Sequence, residues 1–225
     1  MSSQKTLARR WLALAVALVA VGLAACGGGS GSGGASGAAA KLVDIQGTVT
    51  VNGQATSAAK ELAVNDKIQV AQGGVARVLY PDGTKVLLVG RAAEGTELTI
   101  GTTTQEQGIP VMLVKLVKGV LSFVVPPASK GKVRYEIEAQ SSLTVIRGTS
   151  GAIKTDASQD VVALKTGTVE VLAKNGGKSG TVNAGQQITV QASGDVSTPK
   201  PYDFSDDSER ELYNEGPLLM KTLTH

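Results

Sequence analysis

The chain of 225 residues is long enough for one domain with tails, and its 22 basic and 19 acidic residues give a formal charge of +3. Three of the basic residues, Lys5, Arg9 and Arg10, lie in a segment that we expect to be removed, which leaves 19 basic against 19 acidic residues. A mature chain without net charge gives no electrostatic reason to expect nucleic acid or anionic lipid as a partner.

Residues 1–25 have the order of a secretory signal peptide. Lys5, Arg9 and Arg10 form a positive start, residues 11–23 are apolar and uncharged, and the sequence Leu-Ala-Ala stands directly before Cys26. The apolar stretch is shorter than the roughly 20 residues that a membrane-spanning helix needs. A signal peptide is therefore favoured over the alternative of a short transmembrane anchor.

The sequence Leu-Ala-Ala-Cys at residues 23–26 resembles the lipobox of bacterial lipoproteins. In that family the cysteine receives a lipid and the chain is cut before it, which implies cleavage between Ala25 and Cys26 and an acyl anchor, such as palmitate, on Cys26. Several acyl chains hold a protein firmly to a membrane. Gly27 in place of Asp implies the outer membrane, facing the periplasm. The Gly/Ser-rich residues 26–40 are expected to be a flexible tether.

Residues 41–198 are predicted to form an all-β domain, a sandwich or roll of more than ten short strands. Val, Ile, Thr and Leu alternate with polar residues over short runs that Gly, Asn, Asp and Pro separate. Pro81-Asp82-Gly83 is a strong turn signal. The apolar runs 111–117 and 120–125 are predicted to be two buried central strands.

Residues 199–225 are predicted to form an acidic tail with one short helix. Asp206 and Glu209 resemble a capping box, and Gly216-Pro217 would end the helix. Six acidic residues fall between positions 203 and 215. The weakly apolar end of the tail, residues 217–225, is a candidate to dock on the β domain.

The composition argues against an enzyme, a metal site or a cofactor. The only histidine is His225 and the only cysteine is Cys26, which removes Cys–His and Ser–His–Asp sites and the usual zinc ligand sets. Asp82, Asp156 and Asp160 remain as candidates for glycoside hydrolysis. Each stands beside turn-forming residues, so we expect each to cap a turn. With few aromatic side chains, a glycan-binding or cell-wall hydrolase role has the least support.

Several short motifs occur in a defined order along the β domain. They include Asp82-Gly83, Arg147-Gly148-Thr149 and Gly185-Gln186. Over residues 41–192 this order resembles the FecR family, named for ferric-citrate regulators of bacterial iron signalling. Where that family has a Phe after Arg-Gly-Thr, this chain has Ser150-Gly151. The strand at that point is therefore expected to pack differently.

Arg147 has two interpretations within this motif. Its guanidinium would form a fork on a partner's carboxylate, or it would satisfy loop carbonyls or an internal acid. The local, structural role is the favoured one, because arginine in a β-turn most often works locally.

The resemblance to FecR proteins implies a periplasmic β-module that binds another envelope component. Our leading interpretation is a non-enzymatic envelope lipoprotein whose FecR-like domain binds a protein partner as a scaffold or interaction module. The alternative is a sensory module that works with an outer-membrane receptor, as in FecR-type iron signalling. Iron regulators of the family have a cytoplasmic segment and a membrane span where this chain has a lipobox and tether, so we expect no direct action on a sigma factor. The sequence does not decide whether the chain forms a homo-oligomer, or whether a partner binds by adding a strand to an exposed edge of the sheet.

Overall fold

The computed structural model describes residues 39–91 and 93–202, which form 17 strands and one short 3-10 turn. No helix among these residues has the length and apolar content that a membrane crossing requires. The predicted signal peptide, Cys26, most of the tether and the predicted C-terminal helix lie outside the described residues. The elements are β1 (Ala40–Gln46), β2 (Val49–Val51), β3 (Gln54–Ala55), β4 (Lys60–Leu62), β5 (Lys67–Val70), β6 (Val75–Leu79), β7 (Lys85–Val89), β8 (Thr96–Glu106), β9 (Ile109–Val124), the 3-10 turn η1 (Pro127–Ser129), β10 (Arg134–Glu138), β11 (Ser142–Ile146), β12 (Ser150–Thr155), β13 (Gln159–Thr166), β14 (Thr168–Ala173), β15 (Ser179–Asn183), β16 (Gln186–Gln191) and β17 (Lys200–Pro201).

The strands pair into two sheets that share β9. In the first sheet the order is β4-β1-β6-β7-β9-β12-β13-β16-β17, and every pair is antiparallel. In the second sheet the order is β3-β2-β5-β8-β9-β10-β11-β14-β15, and only the β9–β10 pair is parallel. Strand β9 is therefore the central strand of both sheets.

Strand β9 is one continuous strand where the sequence predicts two. Its residues up to Lys118 pair with β8 in the second sheet, and its residues from Gly119 onwards pair with β12 in the first sheet. Gly119, with φ of +89°, redirects the strand into the other sheet without reversing it. The first half is also less buried than expected, because Lys115 and Val117 face solvent and Val117 is 45% exposed.

A buried threonine holds the corner at Gly119. The Oγ1 of Thr96 donates a hydrogen bond to the carbonyl oxygen of Val89 at 2.7 Å and accepts one from the N–H of Val120 at 3.0 Å. A Cβ atom on Gly119 would lie only 2.3 Å from this Oγ1. Glycine is therefore required at the corner on two counts, its backbone angle and the space it leaves for Thr96.

One hydrophobic core lies between the two sheets, which confirms the predicted sandwich. Alternate residues of each strand point into it, as the period of two requires. The core includes Leu42, Val78, Val86, Leu88, Leu121, Phe123, Ile153, Val162 and Ile188 from the first sheet and Val49, Ile68, Leu98, Val114, Leu116, Val169 and Val171 from the second.

We expect Gly119→Ala to lower the free energy of unfolding by about 3 kcal/mol or more, because the new methyl group overlaps Thr96 at a strained backbone angle. Gly176→Ala is the matched control: Gly176 has φ of +82°, but nothing lies within 4 Å of the position that a Cβ would take. It should lose only about 1 kcal/mol. Urea unfolding measures both, and equal losses would contradict the role given to the corner.

Candidate functional site

The FecR-like motifs meet at one end of the first sheet. The register aligns Lys85, Val124, Ser150 and Thr166 across four neighbouring strands. Asp82-Gly83 lies one residue before β7, and Arg147-Gly148-Thr149 immediately precedes β12. Both motifs therefore lie beside the end of β9 and the η1 turn that follows it. We call this region the motif end.

Asp82 ties the β6–β7 turn to the segment after β9. Its carboxylate accepts hydrogen bonds from the Thr84 N–H at 3.0 Å and the Thr84 hydroxyl at 2.9 Å, which close the turn. It also accepts a bond from the Tyr135 hydroxyl, at 2.7 Å, and one from the Ser129 side chain. The predicted turn at Pro81-Asp82-Gly83 is present, and its aspartate joins β10 and η1 to it.

The surroundings of Asp82 keep it ionised. Burial opposes its charge, but the hydrogen bonds from Tyr135, Thr84 and Ser129 outweigh that effect and hold the pKa of Asp82 below its usual value. Burial, with the nearby Asp82 charge, raises the pKa of both Tyr135 and Tyr80 above the ordinary phenol value. The two tyrosine rings pack edge to face with centroids 5.3 Å apart.

The Arg147-Gly148-Thr149 loop packs tightly through its glycine and threonine. A Cβ on Gly148, whose φ is +72°, would lie 3.4 Å from the Cβ of Lys130 beyond η1. The carbonyl oxygen of Thr149 accepts a bond from the Val125 N–H at 2.9 Å. The Thr149 side chain packs against Gly167, where a Cβ would approach its Cγ2 to 2.4 Å. The last two motif residues thus hold the loop in place.

Phe123 occupies the space beside Gly151, in the strand that follows the motif. Gly151 pairs with Phe123 across the sheet, and a Cβ on Gly151 would lie 3.0 Å from the Phe123 Cζ. An aromatic ring from β9 thus packs where Ser150-Gly151 offers no large side chain.

Arg147 borders a recess of about 200 Å³ at the motif end. The recess is lined by Glu106, Gln107, Ile109, Val111, Gly131, Val133, Arg134 and Arg147. Arg134 forms ion pairs with Glu106 and, at 2.6 Å, with Glu136. Arg147 is exposed, and within residues 39–91 and 93–202 no hydrogen bond or ion pair engages its guanidinium. The arrangement offers a free cation beside an apolar floor, which suits a carboxylate next to an aliphatic side chain.

The third motif, Gly185-Gln186, lies further along the same end of the first sheet. The N–H of Gly185 donates to the carbonyl oxygen of Leu164 at 2.8 Å, and its own carbonyl accepts from the Tyr202 N–H at 2.9 Å. The Gln186 side chain accepts a bond from the Asn183 N–H at 3.1 Å. These contacts shape the β15–β16 turn, and Gln186 does not line the recess.

The three candidate carboxylates do not converge. Asp82 lies at the motif end, whereas Asp156 and Asp160 lie at the opposite end of the first sheet, where Asp160 pairs with Thr155 and Asp156 follows β12. Asp156 caps a turn, as expected, by accepting from the N–H groups of Ser158 and Gln159. Asp160 departs from the expected turn cap: it is a fully buried strand residue.

Asp160 forms a buried hydrogen-bond hub. It accepts bonds from the Ser141 N–H at 2.8 Å, the Ser142 hydroxyl at 2.7 Å and the Thr155 hydroxyl. It therefore joins β13 of the first sheet to β11 of the second. Because Asp82 lies at the other end of the first sheet, the two carboxylates are not placed to act as an acid–base pair.

Sequence reasoning missed Tyr135, Arg134 and Glu106 at this site. The sequence does carry one signal: Arg134 and Glu136 flank Tyr135 on alternate positions of one strand, so both charges share the face opposite the buried ring. The contact between Tyr135 and Asp82 spans 53 residues and has no local signature.

Residues 66–170 match the family model described as FecR protein. Two crystal structures of a candidate anti-sigma factor from Parabacteroides distasonis ATCC 8503, at 2.50 and 1.65 Å resolution, are similar in fold, each with a TM-score of 0.50 and 23% sequence identity. The similarity covers 63% of this chain and 62% of the other, so the chain spans less than two thirds of the length of those proteins. No curated protein matches the sequence.

We expect Tyr135→Phe to lower the free energy of unfolding by about 1.5 kcal/mol at neutral pH, because it removes a hydrogen bond to a charged group. The depressed pKa of Asp82 means that this contribution is complete above the ordinary carboxyl pKa of about 3.9 and is lost as the pH falls through the lower, folded value. Urea unfolding at a series of pH values measures the difference.

Tyr80→Phe is the matched control for Tyr135→Phe. The Tyr80 hydroxyl is buried and has no hydrogen-bond partner in the described part of the chain, so its removal should be neutral or slightly stabilising. Equal losses for the two variants, or a Tyr135→Phe loss that does not shrink in acid, would contradict the assignment.

Proposed function

From the FecR domain matched at residues 66–170, we propose that the protein is a lipid-anchored regulatory module of the bacterial envelope, which carries a signal by binding a protein partner at the motif end. The partner contributes an acidic, partly aliphatic surface. An outer-membrane receptor is the partner class that FecR-type signalling suggests. The proposal is one of binding and not of catalysis.

One observation carries this proposal: three residues from two separate motifs hold the motif end together, and one further motif side chain takes no part in this. Asp82, Gly148 and Thr149 are occupied in holding the turn, the η1 segment and the loop together. Arg147, within the same motif, is exposed beside the recess. A guanidinium that stabilises nothing in the described fold is available for a carboxylate of a partner.

The family match favours a regulatory role over the scaffold role that was the leading interpretation of the sequence. The fold shared with a candidate anti-sigma factor supports the same direction by analogy of architecture. The envelope location and the lipid anchor are supported by the positive, apolar and Leu-Ala-Ala-Cys segments before residue 27.

We expect Cys26→Ser to release the protein from the membrane fraction, because the thiol that carries the lipid is lost. Metabolic labelling with a fatty acid and membrane fractionation measure this, and wild-type protein should be labelled and sedimented. Ser30→Ala, within the tether, is the matched control, since it keeps the cysteine and should leave labelling unchanged. Membrane retention of an unlabelled Cys26→Ser variant would contradict the anchor.

We expect Arg147→Glu to reduce recovery of the partner in crosslinking and affinity capture by at least about tenfold, because it places an acid against an acidic surface. Lys67→Glu is the matched control: Lys67 is an exposed base of β5, four strands from β11 in the second sheet. A protein that is captured equally by wild type and both variants would count against the motif end as the binding surface.

A further inference from the structure

The outer face of the first sheet, which points away from the core, is apolar at its centre. The register joins one residue from each of seven strands into a row across this face: Val43, Arg77, Leu87, Ser122, Ala152, Ala163 and Gln187. Each alternates along its strand with core residues, as Leu87 does between Val86 and Leu88. Further apolar residues flank this row: Val75, Leu79, Val89, Val120, Val124 and Val161.

The centre of this face is closed to solvent. Leu87 is 0% exposed, and Ser122, Ala152 and Ala163 are each less than a tenth exposed. All 17 described strands belong to the two sheets, and the second sheet packs on the opposite side, so the described strands supply no layer above Leu87. Across the sheet Leu87 pairs with Arg77 and Ser122, and these two residues are themselves only 4% exposed. Because the row from Arg77 to Gln187 is closed to solvent and not Leu87 alone, we expect a further segment to cover the face.

Lysines surround the apolar centre. Lys85 and Lys154 stand two positions along their strands from Leu87 and Ala152, and so share the outer face, while Lys165 is the exposed, bulged residue near the end of β13. Lys200 lies directly opposite Gln187. Within residues 39–91 and 93–202, none of these four lysines forms an ion pair with another side chain. The covering segment is therefore expected to be acidic as well as apolar.

The described chain ends on this face. Tyr202, its last residue, is buried against Ala163 at one side of the row. Next to it, Gln187 is 3% exposed, and its Oε1 has no hydrogen-bond partner among the described residues. A buried acceptor aimed into the face calls for a donor from the segment that covers it.

We propose that residues 203–225, the C-terminal tail, cover the outer face of the first sheet. The tail carries six acidic residues for the four lysines, and apolar residues for the central row: Phe204, Leu212, Tyr213, Leu218, Leu219, Met220 and Leu223. From β16 to β6 the face spans five strand spacings, about 24 Å. The tail's 23 residues cross that distance even at a helical rise of 1.5 Å per residue, about 35 Å.

Engineered disulfides test the contact. The chain from residue 27 to 225 contains no cysteine, so two substitutions report one pair. Ser122→Cys, in the central row, is combined with Leu212→Cys or with Leu219→Cys. For the control, Thr181→Cys is combined with the same tail positions, because Thr181 is exposed on β15 of the second sheet.

Mild oxidation should give an intramolecular disulfide with Ser122→Cys in at least one tail combination, and none with Thr181→Cys. A disulfide between two chains would mean that a second copy occupies the face, and equal reaction with both sites would mean a contact without preference. Either result, or no disulfide at all, overturns the proposal.

Truncation after Tyr202 tests the same surface without new cysteines. The truncation should uncover the Leu87 row and so raise the fluorescence of an apolar dye several-fold. In the full chain, high salt should raise the fluorescence less, because it screens the attraction between the acidic tail and the lysines. Deletion of residues 27–38 is the control and should change nothing. If that deletion uncovers the face and the truncation does not, the N-terminal segment is the occupant and the proposal fails.

Discussion

Both sheets depend on one strand and on the change of direction it makes at Gly119. Strand β9 is central in each sheet, so its first half positions β8 and β10 and its second half positions β7 and β12. The corner needs a residue without a side chain, because Thr96 occupies the space and bonds both adjoining strands. A shift at this point would change the register of four neighbouring strands at once.

The motif end is a consequence of that register. Asp82 and Arg147 are far apart in sequence, but their turns precede strands that both pair with β9, so they meet at the same level. Asp82, Gly148 and Thr149 contact other parts of the fold and fix the two turns in place. Because Arg147 belongs to one of these turns, its backbone is held in position while its side chain is exposed. Rigid loops that present a free charge are suited to recognising a partner. The outer face, with its lysines around an apolar row, is a second surface with a different chemistry.

The all-β architecture could be predicted because alternation with a period of two and the Asp82-Gly83 turn are local features. The continuity of β9 could not, because a glycine between two apolar runs has the same sequence signal whether the chain reverses or changes sheets. The hydrogen bond from Tyr135 to Asp82 depends on register over 53 residues and has no local trace. Sequence reasoning favoured a local role for Arg147 and a turn-capping role for Asp160; the structure places Arg147 in solvent and Asp160 in a buried hub.

The proposed function depends on contact between the motif end and a protein partner in the envelope. Site-specific photocrosslinking in living cells tests this contact most directly, with the crosslinker placed at Gln107, which is exposed and lines the recess beside Arg147, and, for comparison, at Thr181 on the second sheet. We expect a discrete crosslinked protein from position 107 that is absent from position 181. Crosslinks from position 181 to the same protein, with none from position 107, would contradict binding at the motif end.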